Sequence, residues 1–106
     1  MFNINGEEWE ILLVSPTHFG LSTNKGDYAL GCCNDTIKCI YINDTLPDDL
    51  LIKVLCHEIA HAAMFSYNVY LTLSQEELLA NIIATHGDEI IKITNQMFKK
   101  IKGTYY

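Results

Sequence analysis

The sequence predicts an α+β fold, with strands and loops in its first half and helices in its second. Short apolar runs bounded by turn-forming residues occupy residues 1–45, whereas apolar residues recur at helical spacing beyond residue 46. No repeat, low-complexity tract or Gly/Ser/Pro-rich linker separates the halves. We therefore expect one domain over 1–106: a small antiparallel sheet of about three strands within 1–45, a buried helix over 46–66, and one or two helices within 74–102.

Composition and charge argue against several classes of protein. At 106 residues and 49% hydrophobic content, the chain is sized for one core. Acids outnumber bases by 13 to 7 and every base is a lysine, so we expect no direct nucleic-acid binding. No apolar run reaches the roughly 18 residues of a membrane span. The first residues are acidic, unlike those of a secretory signal, so we expect a cytoplasmic protein. The oligomeric state is left open.

Three short apolar runs predict the strands, and they are Trp9–Val14, Tyr28–Cys33 and Ile37–Ile42. The last two flank Asn34, Asp35 and Thr36, a spacing that favours a hairpin. Alternation in the third run places Cys39 and Tyr41 on one face and Ile40 and Ile42 on the other. Residues 17–27 contain two glycines and an asparagine and are predicted to form a loop.

The four cysteines do not form a recognisable metal or disulfide pattern. There is no Cys-x-x-Cys pair, and the adjacent Cys32 and Cys33 would point to opposite faces of a strand. We expect these cysteines, with Cys39 and Cys56, to be small buried apolar residues.

Two helix starts follow the strands. Asn43, Asp44 and Thr45 supply capping side chains ahead of Pro47, which predicts a helix from about Leu46 to Ser66. Apolar side chains occupy every face of that helix, so it should be buried. A second helix is expected to begin at the Ser74-x-x-Glu77 capping box, and Gly87-Asp88 would either end it and cap a third helix or only kink it.

The first of these helices contains a metal-site pattern. His57 and His61 are four residues apart, about 40° around a helix, so both imidazoles can face one ion. Glu58 projects beside them, where it could take a proton from water held by the metal. Polar core residues without a metal are the alternative. Burying charged groups without a partner costs several kcal/mol, which favours the metal site.

A zinc hydrolase site needs a third protein ligand, and the next helix supplies candidates. Glu77 lies 16 positions after His61, and Asn81 follows one turn later, where its amide could orient a ligand imidazole. Glu77 could instead bond backwards to Ser74 in the capping box, and Glu76 is an alternative ligand. His86 lies about 180° around the helix from Glu77 and is a poor partner for the same ion.

These elements resemble the gluzincin-type peptidases of the ImmA/IrrE group and related small phage metallopeptidases. The resemblance rests on His57-Glu-Ile-Ala-His61, Glu77-Leu-Leu-Ala-Asn81 and the preceding strand Ile40-Tyr-Ile-Asn43, and it covers roughly Gly26 to Ile83. Ala60 stands where many members have glycine, and the segment after Asn81 lacks the usual Phe-Ala. A helix that commonly precedes the strands has no counterpart here.

The resemblance implies a zincin-like metallopeptidase domain in which His57, His61 and Glu77 bind Zn²⁺ and Glu58 is the general base. Members are often encoded by phages or integrated elements, and several cleave a transcriptional repressor. It therefore implies a peptide or protein substrate, which could pair with an exposed edge strand, for which we favour Lys38–Ile42.

A donor for the transition state remains open among four side chains, and they are Tyr67, Tyr70, His18 and His86. Two other functions are also open for a protein with this metal-site pattern. The metal could be purely structural in an interaction module, or the fold could be kept for binding a regulator after catalysis has lapsed.

Overall fold

A four-stranded mixed sheet is followed by two long helices, which confirms the α+β class. The computed structural model describes residues 1–103. The elements are β1 (Phe2–Ile4), β2 (Glu7–Val14), β3 (Gly31–Asn34), β4 (Cys39–Asn43), α1 (Asp48–Ser66) and α2 (Leu73–Lys102). A single 3₁₀ turn, Phe19–Leu21, interrupts the predicted loop between β2 and β3. No helix in the described part of the chain combines the length and apolar character needed to cross a bilayer.

The sheet has the order β1-β2-β4-β3, and this corrects two expectations. It has four strands instead of about three, and β2 pairs with β4 in parallel, so the sheet is mixed and not antiparallel. The extra strand follows from Asn5 and Gly6, whose φ angles of 50° and 79° form a tight turn between β1 and β2. The chain reverses direction between β3 and β4, and β4 then runs in the same direction as β2, with which it pairs.

The predicted hairpin joins β3 and β4 in antiparallel register. Both strands are shorter than predicted: β3 starts at Gly31, and β4 starts at Cys39 because the Asn34 side chain accepts hydrogen bonds from the backbone of Thr36 and Ile37 and holds the turn. Lys38 has a φ of 54° within that turn.

The two faces of the sheet bury separate clusters, as the alternation predicted. Ile40 and Ile42 pack with Trp9 and Ala62 of α1, and all four are fully buried. Cys39 and Tyr41 pack on the other face with Leu21. The four cysteines are free, and Cys32 and Cys33 contribute to opposite faces.

Helix α1 begins at Asp48, two residues later than predicted. Pro47 is the N-cap and makes no side-chain capping bond, whereas Asn43 Oδ1 accepts a hydrogen bond from the backbone of Thr45 within the preceding loop. The predicted capping role of Asn43, Asp44 and Thr45 is therefore wrong. The helix ends at Ser66 as predicted, but it is not buried on every face, because Ile52 is 67% exposed.

Helix α2 starts at a different capping box from the predicted one. Thr72 is the N-cap and exchanges hydrogen bonds with Gln75, so Ser74 and Glu77 do not form the cap. The helix continues through Gly87 without a break, which rules out the end or third helix considered for that position. It ends at Lys102, and its C-cap residue, Gly103, adopts the left-handed conformation with a φ of 64°.

The C-terminal end of α1 is fastened to the sheet by a buried hydrogen bond. Trp9 Nε1 donates to Ser66 Oγ at 2.8 Å, and both side chains are buried. An indole N–H left without an acceptor in this position would lose its water as well as its partner.

Ser66→Ala should therefore lower the free energy of unfolding by about 1–3 kcal/mol, measured by urea denaturation. Ser74→Ala is the matched control, because Ser74 is exposed and does not cap α2, and it should change stability by less than about 0.5 kcal/mol. Equal effects of the two substitutions would contradict this account of the α1 attachment.

Candidate metal centre

Helices α1 and α2 bring three ligand-type side chains to one point. His57 and His61 project from α1, and Glu77 projects from the second turn of α2; one ligand atom from each lies within 4.8 Å of the others. The two Nε2 atoms are 3.1 Å apart. Glu77 places Oε1 2.8 Å from His61 Nε2 and Oε2 3.4 Å from His57 Nε2.

The spacing of these atoms fits a small tetrahedral cation. Ligands at about 2.0–2.2 Å from a zinc ion are separated from one another by about 3.3 Å in a tetrahedron, close to the observed distances. Two nitrogens and a carboxylate oxygen are also the donor set of many catalytic zinc sites. His57 is only partly buried, so one side of the site remains open.

Glu58 lies beside this point, buried against the sheet. Its side chain passes so close to Gly31 of β3 that a Cβ built there would lie 3.0 Å from Glu58 Cγ and 2.8 Å from Val54 Cγ1. Burial raises the pKa of Glu58 to about 7; the His61 ring opposes this shift and the Glu77 carboxylate adds to it. A carboxyl group that titrates near neutrality can accept and release a proton under physiological conditions.

Glu76 contacts the opposite nitrogen of the His61 ring. Its Oε1 lies 2.6 Å from Nδ1, and only 15% of its side chain is exposed. A carboxylate accepts, so this contact places a proton on Nδ1; a metal ion, when bound, would take the Nε2 lone pair on the side of Glu77 and His57. Of the two carboxylates that the sequence left open, Glu77 thus faces the ligand nitrogens and Glu76 orients one ring.

Asn81 lies in the wall of a cavity shared with His57 and Glu58. The contact to His61 Nδ1 is made by Glu76, and an orienting contact of Asn81 to a ligand imidazole stays a prediction. Two further residues that no sequence motif indicated, Lys53 and Thr85, line the same cavity. The helical periodicity of α1 and α2 could have indicated both, since each lies four residues from a residue of the site.

None of the four predicted donor candidates lines either cavity that contains His57 and Glu58. His18 lies on the other face of the sheet, stacked on Tyr41, and its Nδ1 accepts from the backbone of Gly20. His86 is exposed on α2. Tyr67 lines an apolar groove on the outer side of α1, and Tyr70 is 87% exposed.

Two open cavities, of about 340 and 400 Å³, flank the centre and run along β3. Gly31 lines both, and Cys32 and Cys33 line the larger. Burial raises the pKa of both thiols, which keeps them protonated at neutral pH. The predicted edge strand was wrong, because β4 is paired on both sides and β3 forms the edge next to the site.

Comparison with known proteins identifies the class. The profile of the IrrE N-terminal-like domain, a peptidase family, matches residues 13–100, a longer stretch than the motifs alone indicated. The chain belongs to this family, which is a family of metallopeptidase-like domains. The comparisons with curated proteins and with solved structures returned no match.

Glu76→Ala should weaken zinc binding about 10- to 100-fold, because the His61 ring loses the contact that fixes its tautomer and orientation. Competition with a chromophoric chelator measures the affinity. Glu89→Ala, an exposed acid three turns further along α2, should leave the affinity within about twofold. An unchanged affinity in Glu76→Ala would show that the contact does not orient the ring.

Removing the Glu58 charge should stabilise the metal-free protein at alkaline pH. The folded state keeps the Glu58 proton up to about pH 7, whereas the unfolded chain loses it near pH 4.5. The free energy of unfolding of the wild type therefore falls as the pH rises from 4.5 to 7 and is constant above that range. Because Glu58→Gln removes this loss, its free energy of unfolding should exceed the wild-type value by about 3 kcal/mol at pH 8 and differ little from it at pH 4. Chemical denaturation in chelator at both pH values measures it, and parallel pH profiles would contradict the assignment.

Proposed function

We propose that this protein is a zinc-dependent peptidase that hydrolyses peptide bonds in a protein substrate. The observation that carries the proposal is the convergence of His57 Nε2, His61 Nε2 and a Glu77 oxygen within 4.8 Å, with the buried Glu58 in the wall of both adjoining cavities. Membership of a peptidase family supports it.

His57, His61 and Glu77 would hold the metal. Bound zinc supplies a Lewis acid, which lowers the pKa of water and polarises a carbonyl oxygen. Two imidazole nitrogens and one carboxylate suit zinc better than magnesium or calcium, which prefer oxygen ligands throughout.

Glu58 would act as the proton carrier. Its carboxylate would accept a proton from the attacking water and pass the same proton to the nitrogen of the leaving amine. The Glu58 side chain packs against Gly31, where β3 leaves room for it.

The free edge of β3 would bind the substrate backbone. An extended peptide can add to an exposed strand through main-chain hydrogen bonds, and β3 is the edge strand whose residues line both cavities. Lys53 and Asn81 provide polar contacts on the opposite wall. Lys53 could attract an acidic substrate side chain or a terminal carboxylate.

The substrate class comes from the resemblance of the sequence to ImmA/IrrE-type proteins. A transcriptional regulator of a phage or integrated element, cleaved inside the cell, is the substrate that this resemblance favours. These points remain predictions.

Zinc-reconstituted wild type should cleave members of a random decapeptide library, read by mass spectrometry, and lose this activity on chelation. Glu58→Gln should retain one zinc per chain by elemental analysis but cleave at least about 1,000-fold more slowly, since a general base and its proton transfer are both lost. Glu77→Gln should lower zinc occupancy.

The non-catalytic alternative makes different predictions. If wild type binds zinc, cleaves no library member and unfolds on chelation, the metal is structural and the peptidase proposal fails. If zinc occupancy is unchanged in Glu77→Gln, the third ligand has been assigned to the wrong side chain.

A further inference from the structure

The last four turns of α2 extend away from the rest of the protein. Every residue from Asp88 to Lys102 is exposed, although the first half of the helix packs on α1. This segment is about 22 Å long. It accounts for part of the elongated outline of the molecule, which measures 56 × 31 × 27 Å.

The exposed segment carries an apolar stripe along one side. Ile90, Met97 and Ile101 recur at spacings of seven and four residues, so they lie on one face of the helix. The stripe is flanked by further apolar side chains, and all six are 48–79% exposed: Ile90, Ile91, Ile93, Met97, Phe98 and Ile101. A lone helix of about 15 residues is marginally stable in water, so covering this stripe would stabilise the segment.

The charges beside the stripe are arranged in a self-complementary way. Glu89 and Lys100 are 11 residues apart, about three turns, and so lie along the same side of the stripe. Asp88 and Lys102 lie further round the helix, away from the stripe, and Asp88 forms an ion pair with Lys92 of its own helix at 2.9 Å. One side of the stripe therefore begins with an acid and ends with a lysine.

We propose that this stripe is the interface of a homodimer in which the α2 helices of two copies pack antiparallel. The register that places Ile90 against Ile101 of the second copy also brings Glu89 close to Lys100 of that copy. Two-fold symmetry repeats this contact, so the Glu89 of each copy meets the Lys100 of the other.

A parallel pairing of the same stripe is disfavoured by charge. Parallel helices bring opposite sides of the stripe together, which would place Glu89 and Lys100 beside apolar side chains of the second copy, Ile91 and Phe98. Neither charge would then face a partner of opposite sign. The charge pattern thus selects the antiparallel arrangement.

The inner end of the stripe continues into an apolar groove between the two helices. This groove has a volume of about 480 Å³ and is lined by residues of α1 and α2 that include Cys56, Ile83, Gly87 and Ile90. In the antiparallel register, the tip of the second helix, with its Ile101, reaches this groove. Each tip would therefore be covered by the body of the other copy.

Sedimentation equilibrium of the 106-residue chain tests the proposal. Wild type should be dimeric at micromolar concentration, and Ile101→Lys should raise the dimer dissociation constant at least about 100-fold, because symmetry removes the contact twice. Leu78→Lys is the matched control: Leu78 is 62% exposed on α2 but lies off the stripe, so dimerisation should be unchanged.

Charge reversal tests the orientation. Glu89→Lys and Lys100→Glu should each weaken the dimer several-fold, and the double variant should recover wild-type affinity because both symmetric pairs are re-formed with opposite sign. A wild type that stays monomeric at about 100 μM would overturn the proposal and leave the stripe to another protein. A dimer that survives Ile101→Lys, or a double variant weaker than both single ones, would also overturn it.

Discussion

The histidine ring at position 61 is the group on which the site depends. It is 7% exposed, so both of its nitrogens need partners within the protein. Glu76 Oε1 lies 2.6 Å from Nδ1, and Glu77 Oε1 lies 2.8 Å from Nε2. Two consecutive residues of α2 therefore contact the two ring nitrogens of one α1 side chain. This requirement fixes how α2 lies on α1, and it brings His57 and Glu77 to the same point as a consequence.

The sheet contributes by leaving room for Glu58. Gly31 is the residue of β3 that faces α1 at this level, and any side chain there would displace either Val54 or Glu58. The same strand is the free edge of the sheet, so the glycine that leaves room for Glu58 and the unpaired backbone edge belong to one strand. A buried carboxyl group with a pKa near 7, a three-ligand cluster and an open strand edge are thereby adjacent.

Much of this arrangement could be predicted from local patterns. Helical spacing identified α1 and its pair of histidines, and period-two alternation assigned the faces of β4. The choice between Glu76 and Glu77 could not be made locally, because Thr72-x-x-Gln75 and Ser74-x-x-Glu77 both match a capping box and only the packing on α1 selects the first. The parallel pairing of β2 with β4 depends on non-local contacts, whereas the turn between β1 and β2 follows locally from the dipeptide Asn5-Gly6.

The central claim is that His57, His61 and Glu77 bind one metal ion. Anomalous diffraction at the zinc edge from crystals of the zinc-reconstituted protein tests it most directly. The account predicts a single strong peak about 2.0–2.2 Å from both Nε2 atoms and from a Glu77 oxygen, with Glu76 on the far side of the His61 ring. A peak ligated through Nδ1 and Glu76, or no peak between the two imidazoles at full zinc loading, would contradict it.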